Sequence, residues 1–455
     1  MRRSAAFLIL VVTFVLSSAA VAGDLSIHEW GTFTSFQDEQ GQALDYINTD
    51  DEPVPTFVHQ IGTGTVLAPT QFPQFTQGAP TALSGVTMRL ETPVLYFHLP
   101  ENAKPRTLDV AVDFQGGWLT QYYPNAVAQI DQKEVVKLSY PPMKGDTVGT
   151  LVWKNLRIGG DGKGPETHDP VWKMPRKVQA ANVTIDGESE RFLFYRGVGH
   201  LDSPVKVIRE NGSLRIRDNG SLIKMHLPIA WLLEVRPDGS SAYRALAGMN
   251  LGRSAQDLLT TSATFDERQF AAQGTKKLKQ EMHHALRGEG LNADEADALL
   301  NTWQLSYFQS PGQRVFFIVP QAWTNTVLPL RVSEDAEIQR AMVGRIELVT
   351  PRQRAVLNEL AALPLPDLKE VSTAMARLQA TDHEKYNALA SGAGNLDDLG
   401  VAIPDAYRKF LALGRFRVSL LLNAKNQAIT DLIYEFEFPG QGVAQSIRQQ
   451  RNSVQ

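Results

Sequence analysis

Two short stretches hold the residue types that could do metal or acid–base chemistry. His28-Glu29, near the N-terminus, and His200-Leu201-Asp202 each set an imidazole beside a carboxylate. Such donors suit zinc or another borderline divalent ion, and an imidazole can also move protons near neutral pH. In an extended chain His200 and Asp202 share a face, whereas His28 and Glu29 point to opposite faces, so a bulge would be needed for both to reach one ion. A site built from His28, Glu29, His200 and Asp202 is one expectation. The plainer alternative is a His28 that hydrogen-bonds within a sheet and a His200 in a solvated loop.

Three weaker constellations follow. The glycine-rich run from 159 leads into Asp161, Glu166 and Asp169, oxygen donors of the kind calcium takes, but their spacing is not that of an EF-hand loop. A solvated loop is the simpler reading. Trp118, Tyr122 and Tyr123 follow Gly116-Gly117, with Trp153 and Trp172 further on, and aromatic faces can stack on sugar rings. Core burial competes, because aromatics carry much of any core's area. His283 and His284 are neighbours on a helical stretch and diverge by about 100°, so they do not chelate together.

Several familiar machines are excluded. Neither His28-Glu29 nor His383-Glu384 is followed by a histidine at the zincin spacing. No Gly-x-Ser-x-Gly elbow occurs. Gly162-Lys163 lacks the upstream glycine and the following hydroxyl of a phosphate-binding loop, and Gly197-Val198-Gly199 has Asp202 where a dinucleotide fingerprint needs glycine.

Composition bounds the rest. Residues 1–22 read as a signal peptide: Arg2 and Arg3, a short apolar core from Phe7 to Leu16, then Ala20-Val21-Ala22 as a small-x-small cleavage site. That predicts an exported protein, periplasmic or secreted. No later run reaches the ~20 apolar residues that span a bilayer, so no membrane insertion is expected after cleavage. With no cysteine among 455 residues, disulfides, thiolate metal sites and a lipoprotein anchor are all excluded. The formal net charge is −4, and loss of the signal arginines makes it more negative. Without a basic run, nucleic acid is not an expected partner.

The elements that must position these residues read as strands first and helices later. Leu108, Val110, Val112 and Phe114 alternate with polar neighbours, and 90–99 is nearly continuous apolar and aromatic. Turns at Asp186-Gly187, Asn211-Gly212, Asn219-Gly220 and Pro237-Asp238-Gly239 mark hairpins. Short strands at this density predict one or two antiparallel β-sandwiches. Helices are expected from about 254: one over 274–286, one capped by Asn292 with Glu295 three residues on, and one begun by Thr350-Pro351-Arg352-Gln353. Ile338, Met342 and Ile346 fall at i, i+4, i+8 and predict another helix. The expected organisation is a signal peptide (1–22), a β-rich unit (23–140), a second unit or continuation of the same sandwich (141–250), a helical pair with returning strands (251–332), an all-α domain (333–435) and a flexible tail (436–455).

The opening His28-Glu29-Trp30-Gly31-Thr32-Phe33-Thr34-Ser35 resembles that of a group of exported bacterial proteins. The resemblance continues at Glu91-Thr92-Pro93-Val94-Leu95-Tyr96-Phe97, at Phe194-Tyr195-Arg196-Gly197, at Arg314-Val315-Phe316-Phe317-Ile318-Val319-Pro320 and at Val343-Gly344-Arg345-Ile346-Glu347. It covers most of the mature chain and implies export and a shared architecture, and it carries over no catalytic residue. The expected function is non-catalytic binding or scaffolding with a protein or glycan partner. The alternatives are a metal-dependent hydrolase-like enzyme near His28, with zinc or calcium as its ion, and a carbohydrate-binding module on Trp118, Tyr122 and Tyr123.

Overall fold

A computed structural model describes residues 25–49, 54–61, 75–135, 140–252, 258–364, 366–390, 393–424 and 436. The expected signal peptide and nearly all of the expected tail lie outside these. The strands that matter are β1 (Ser26–Gln37), β2 (Met88–His98), β3 (Arg106–Gln115), β4 (Gly117–Tyr123), β5 (Val148–Ile158), β6 (Val183–Ile185), β7 (Glu188–Glu190), β8 (Leu193–Gly199), β9 (Ala230–Val235), β10 (Ser241–Leu246), β11 (Gly312–Val319) and β12 (Glu337–Leu348). The main helices are α1 (Gly274–Gly288), α2 (Ala293–Thr302), α3 (Pro351–Ala361), α4 (Lys369–Thr381), α5 (His383–Ala390), α6 (Asp405–Ala412) and α7 (Arg417–Asn423).

The expected sandwiches followed by an all-α domain are not what the chain forms. A single mixed sheet of 16 strands runs β7-β6-β5-β4-β8-β2-β1-β12-β11-β9-β10, with β3 pairing off the path onto β5. Smaller sheets flank it, and helices dominate only the C-terminal part. The error has a definite source. The stretch with Ile338, Met342 and Ile346 is β12, a strand that pairs in parallel with β1 at the middle of the sheet. A spacing of four is also two periods of a strand, and Ala341 and Val343 fill the other face. A strand buried on both faces does not alternate, so periodicity alone misassigned it.

β1 is buried along nearly its whole length although seven of its twelve residues are polar. Register explains how. On one face His28, Trp30, Thr32, Thr34 and Phe36 stand beside Gln339, Ala341, Val343, Arg345 and Glu347 of β12. On the other side of β1 the same residues meet Tyr96, Val94, Glu91 and Arg89 of β2. One extra β2 residue, at Thr92-Pro93, makes a bulge that keeps Glu91 and Val94 on the same face. Thr92 takes φ 46°, a region β-branched residues rarely enter, and its Oγ1 accepts from Arg196 Nε at 3.0 Å.

This face therefore has three zones. Histidines lie at one end and an apolar middle holds Trp30, Val94, Val343 and Phe316. A charged end holds Arg89, Glu91, Arg314, Arg345 and Glu347, all buried. The apolar middle is covered by α1 and α2 through Leu278, Met282, Leu286, Ala296, Leu299 and Leu300. The opposite face packs into the larger core with Ile27, Phe33, Phe97, Val315 and Phe317.

One glycine is fixed by this packing. A Cβ on Gly344 would lie 2.1 Å from Cζ of Phe317, whose ring covers the glycine. Gly344→Ala is expected to cost about 1–3 kcal/mol by overpacking, read as a lower urea midpoint with an unchanged slope; an unshifted midpoint would remove this account. Among the described residues no helix is long and apolar enough to cross a membrane.

Candidate metal centre

His28 lies on β1 directly opposite Tyr96, and His98 lies two residues further along β2, so both imidazoles stand on one face. Their ring centroids are 4.6 Å apart. The third member arrives from the helix layer. Asn292 and Glu295 start α2, and the Glu295 carboxylate accepts the Asn292 backbone N–H at 2.6 Å. A carboxylate in the first turn also suits the positive end of the helix. Because the next turn of α2 must bury Leu299 and Leu300 against the sheet, this first turn is delivered over the ends of β1 and β2.

The contacts are short. His28 Nδ1 lies 2.8 Å from one Glu295 oxygen and 3.1 Å from the other, and His98 Nε2 lies 2.8 Å from Glu295 Oε1. Glu295 is fully buried, and the His98 side chain keeps 20% of its surface. Burial alone would push the Glu295 carboxyl up, but the hydrogen bonds from His28 and His98, with further electrostatic support from His28, outweigh it and hold the value at about 2. An ionised carboxylate only accepts, so each imidazole presents an N–H to it.

One nitrogen from each histidine and one Glu295 oxygen all lie within 4.8 Å of one another, and the group could hold a metal ion. The donor set fits a borderline ion: zinc takes nitrogen at about 2.0–2.1 Å and carboxylate oxygen at about 2.0–2.2 Å, which sets donors about 3.3 Å apart in a tetrahedron. Each histidine nitrogen lies 2.8 Å from a Glu295 oxygen, somewhat inside that spacing, so the carboxylate would draw back slightly to admit an ion. Loading an ion would move the two N–H protons off the donor atoms, and three protein ligands would leave one position open.

The structure separates the residues first singled out. Glu29 points to the opposite face, where it pairs with Arg340 and accepts from the Tyr195 hydroxyl. His200 follows Gly199, which pairs with Met88 at the far end of β2, ten residues and roughly 30 Å of strand from His98. Its Nδ1–H donates to the Gly85 carbonyl at 2.7 Å, and Asp202 is exposed. No shared site joins them to His28. Asp161, Glu166 and Asp169 do not form a three-residue metal group among the described residues, where only His28, His98 and Glu295 do. Trp118, Tyr122 and Tyr123 are buried and offer no platform for a sugar: alternation on β4 puts them into the cores on its two sides. His283 makes a long contact of 3.6 Å to Asp297.

His98 and Glu295 escaped notice because each had a local explanation, one as the polar end of a buried strand and the other as a capping residue. The usable signal was parity. His28 and His98 sit at polar positions on two long, almost wholly buried strands, and a capping glutamate that opens a helix with Leu299 and Leu300 to bury must come down near such a face.

No protein-family model matches the chain, and no curated protein matches it. Among solved structures it is similar to the Fcho1 Mu homology domain of Danio rerio with bound Eps15 peptide, at 8% identity and a TM-score of 0.25, over 72% of this chain and 96% of that one. A likeness that slight carries no argument about fold or function.

Proposed function

We propose that this is an exported protein that holds a zinc-class divalent ion on His28, His98 and Glu295, and that its role is binding or scaffolding. The observation that carries the reading is the convergence of two imidazoles and a fully buried carboxylate from three distant segments. An ion there would tie the α1–α2 layer to the central strands, and Glu295 already serves both as helix cap and as the link between the two histidines. A second reading, metal-dependent hydrolysis, draws on the partial exposure of His98: an open fourth position at that rim could hold water, whose pKa zinc lowers to about 7.

Elemental analysis of the purified mature protein tests the centre. About one equivalent of zinc or a neighbouring metal is expected, lost in both His98→Ala and Glu295→Gln. Zinc added to metal-stripped protein should raise the thermal midpoint, since ligand at 100 times its Kd contributes about 2.7 kcal/mol. Absence of metal together with an unmoved midpoint would end the proposal. Turnover of ester, amide or phosphoester substrates by the loaded protein, abolished by metal stripping, would favour the second reading over the first.

A further inference from the structure

A cavity of about 210 Å³ lies between the 234–237 end of β9, the start of β11 and the first turn of α3. It has room for roughly seven waters. Arg209, Arg236, Arg352, Glu234, Gln313 and Gln353 contribute its polar lining, so guanidinium outnumbers carboxylate three to one.

The cations are held differently. Arg236 is fixed by Glu267 at 2.6 and 2.7 Å and lies over the Phe270 ring. Arg209 is oriented by an uncharged group: its Nη2 donates to Gln313 Oε1 at 2.5 Å, while its Nε has no hydrogen-bond partner among the described residues. Gln313 is itself fixed, donating to Glu234 at 3.0 Å and to the Ala263 carbonyl at 2.8 Å. Arg352 is exposed and has no ion pair among the described residues. Burial holds the one carboxyl, Glu234, above its usual range and the Arg209 guanidinium below its own, as expected where charge is poorly compensated. Behind the cavity wall lies the charged zone of the sheet, where Arg89, Arg314, Arg345 and Arg415 outnumber Glu91 and Glu347. Their field adds to that of the lining.

We infer that this cavity is a binding site for a small oxyanion, a carboxylate or a phosphate, held by Arg209 and Arg352. The α3 N-terminus does not carry the inference, because Thr350 and Gln353 already satisfy each other's backbone N–H groups there. The site is independent of the metal centre.

Calorimetric titration of the mature protein with sodium phosphate and, separately, sodium succinate at constant ionic strength tests it. One-to-one binding of at least one anion is expected. Loss of one charged hydrogen-bonding partner should weaken it about tenfold in Arg209→Gln and in Arg352→Gln. Glu234→Gln should strengthen binding, and Glu295→Gln should leave it unchanged. Phosphate alone would identify a phosphate site, and succinate alone a carboxylate site. Thermal midpoints near the parent's would show that the variants fold, and Arg352, being exposed, keeps the test usable if Arg209→Gln does not. Failure of both anions to bind at millimolar concentration, or equal affinity in parent, Arg209→Gln and Arg352→Gln, would overturn the inference.

Discussion

Glu91→Gln is expected to lower the free energy of unfolding by about 3–5 kcal/mol, the range for breaking a buried ion pair by removing one partner. Glu91 is fully buried. It accepts from Thr34 Oγ1 at 2.8 Å, lies 3.1 Å from Arg89 Nη2 and 3.9 Å from Arg345 Nη1. Arg345 also meets Glu347 at 2.6 Å, and Glu347 meets Arg314 Nε at 2.7 Å. Phe416 lies over the outer side, 5.6 Å from the Arg89 guanidinium carbon and 5.8 Å from that of Arg345. An amide at position 91 keeps the shape but leaves the guanidiniums facing one carboxylate in a site closed to water.

The same residue sets a pH signature. Burial pushes the Glu91 carboxyl up, but Arg89, Arg345 and Arg415 more than reverse that and hold it below its ordinary 4.5. A carboxyl depressed in the folded state adds stability that is complete above its unfolded value and is lost as pH falls through the folded one. The parent should therefore lose stability below about pH 4.5, more steeply than Glu91→Gln, so that their difference narrows with acid. Urea unfolding at pH 7 and stepwise from pH 5 to 3 reads both effects. A gap under about 1 kcal/mol at neutral pH would contradict the assigned role.

The second large effect lies on the other face of β1. Arg340→Met should cost about 3–5 kcal/mol, because it leaves the fully buried Glu29 with the Tyr195 hydroxyl as its one side-chain partner among the described residues. It also removes donors from the Asn325 side chain, at 3.0 Å, and from the Leu328 carbonyl, at 2.7 Å. The double variant Glu29→Leu/Arg340→Met should be less destabilised than Arg340→Met alone, since deleting both charges spares the unpaired carboxylate. Denaturation of the parent, Glu29→Leu, Arg340→Met and the double variant decides it: additive losses would mean that the pair is not coupled.

How much of this was legible depended on how local the cause was. The hairpins at 205–218 and 230–246 follow from their turn residues, and α2 and α3 begin where their capping boxes lie. The sheet's long-range order was not legible, because nothing near residue 340 signals a partner near residue 30. The metal centre failed for the same reason. His28 was visible by its type, whereas His98 and Glu295 take their meaning from strand parity and from where α2 lands. The opposite faces of His28 and Glu29 were readable from the strand period alone, and that parity separates the metal centre from the Glu29–Arg340 pair.

The parallel pairing of β1 with β12 also constrains the order of events during biosynthesis. A strand near the middle of the sheet is among the first described parts of the chain to be made, yet the strand that covers its second edge follows roughly 300 residues later. At about 5–20 residues per second, that interval is on the order of tens of seconds. For all of it, one ladder of the future core has no mate, and its backbone donors and acceptors are open to any extended stranger. A chain wired in this way completes its centre last and depends on being kept apart from its neighbours until residue 348 has emerged.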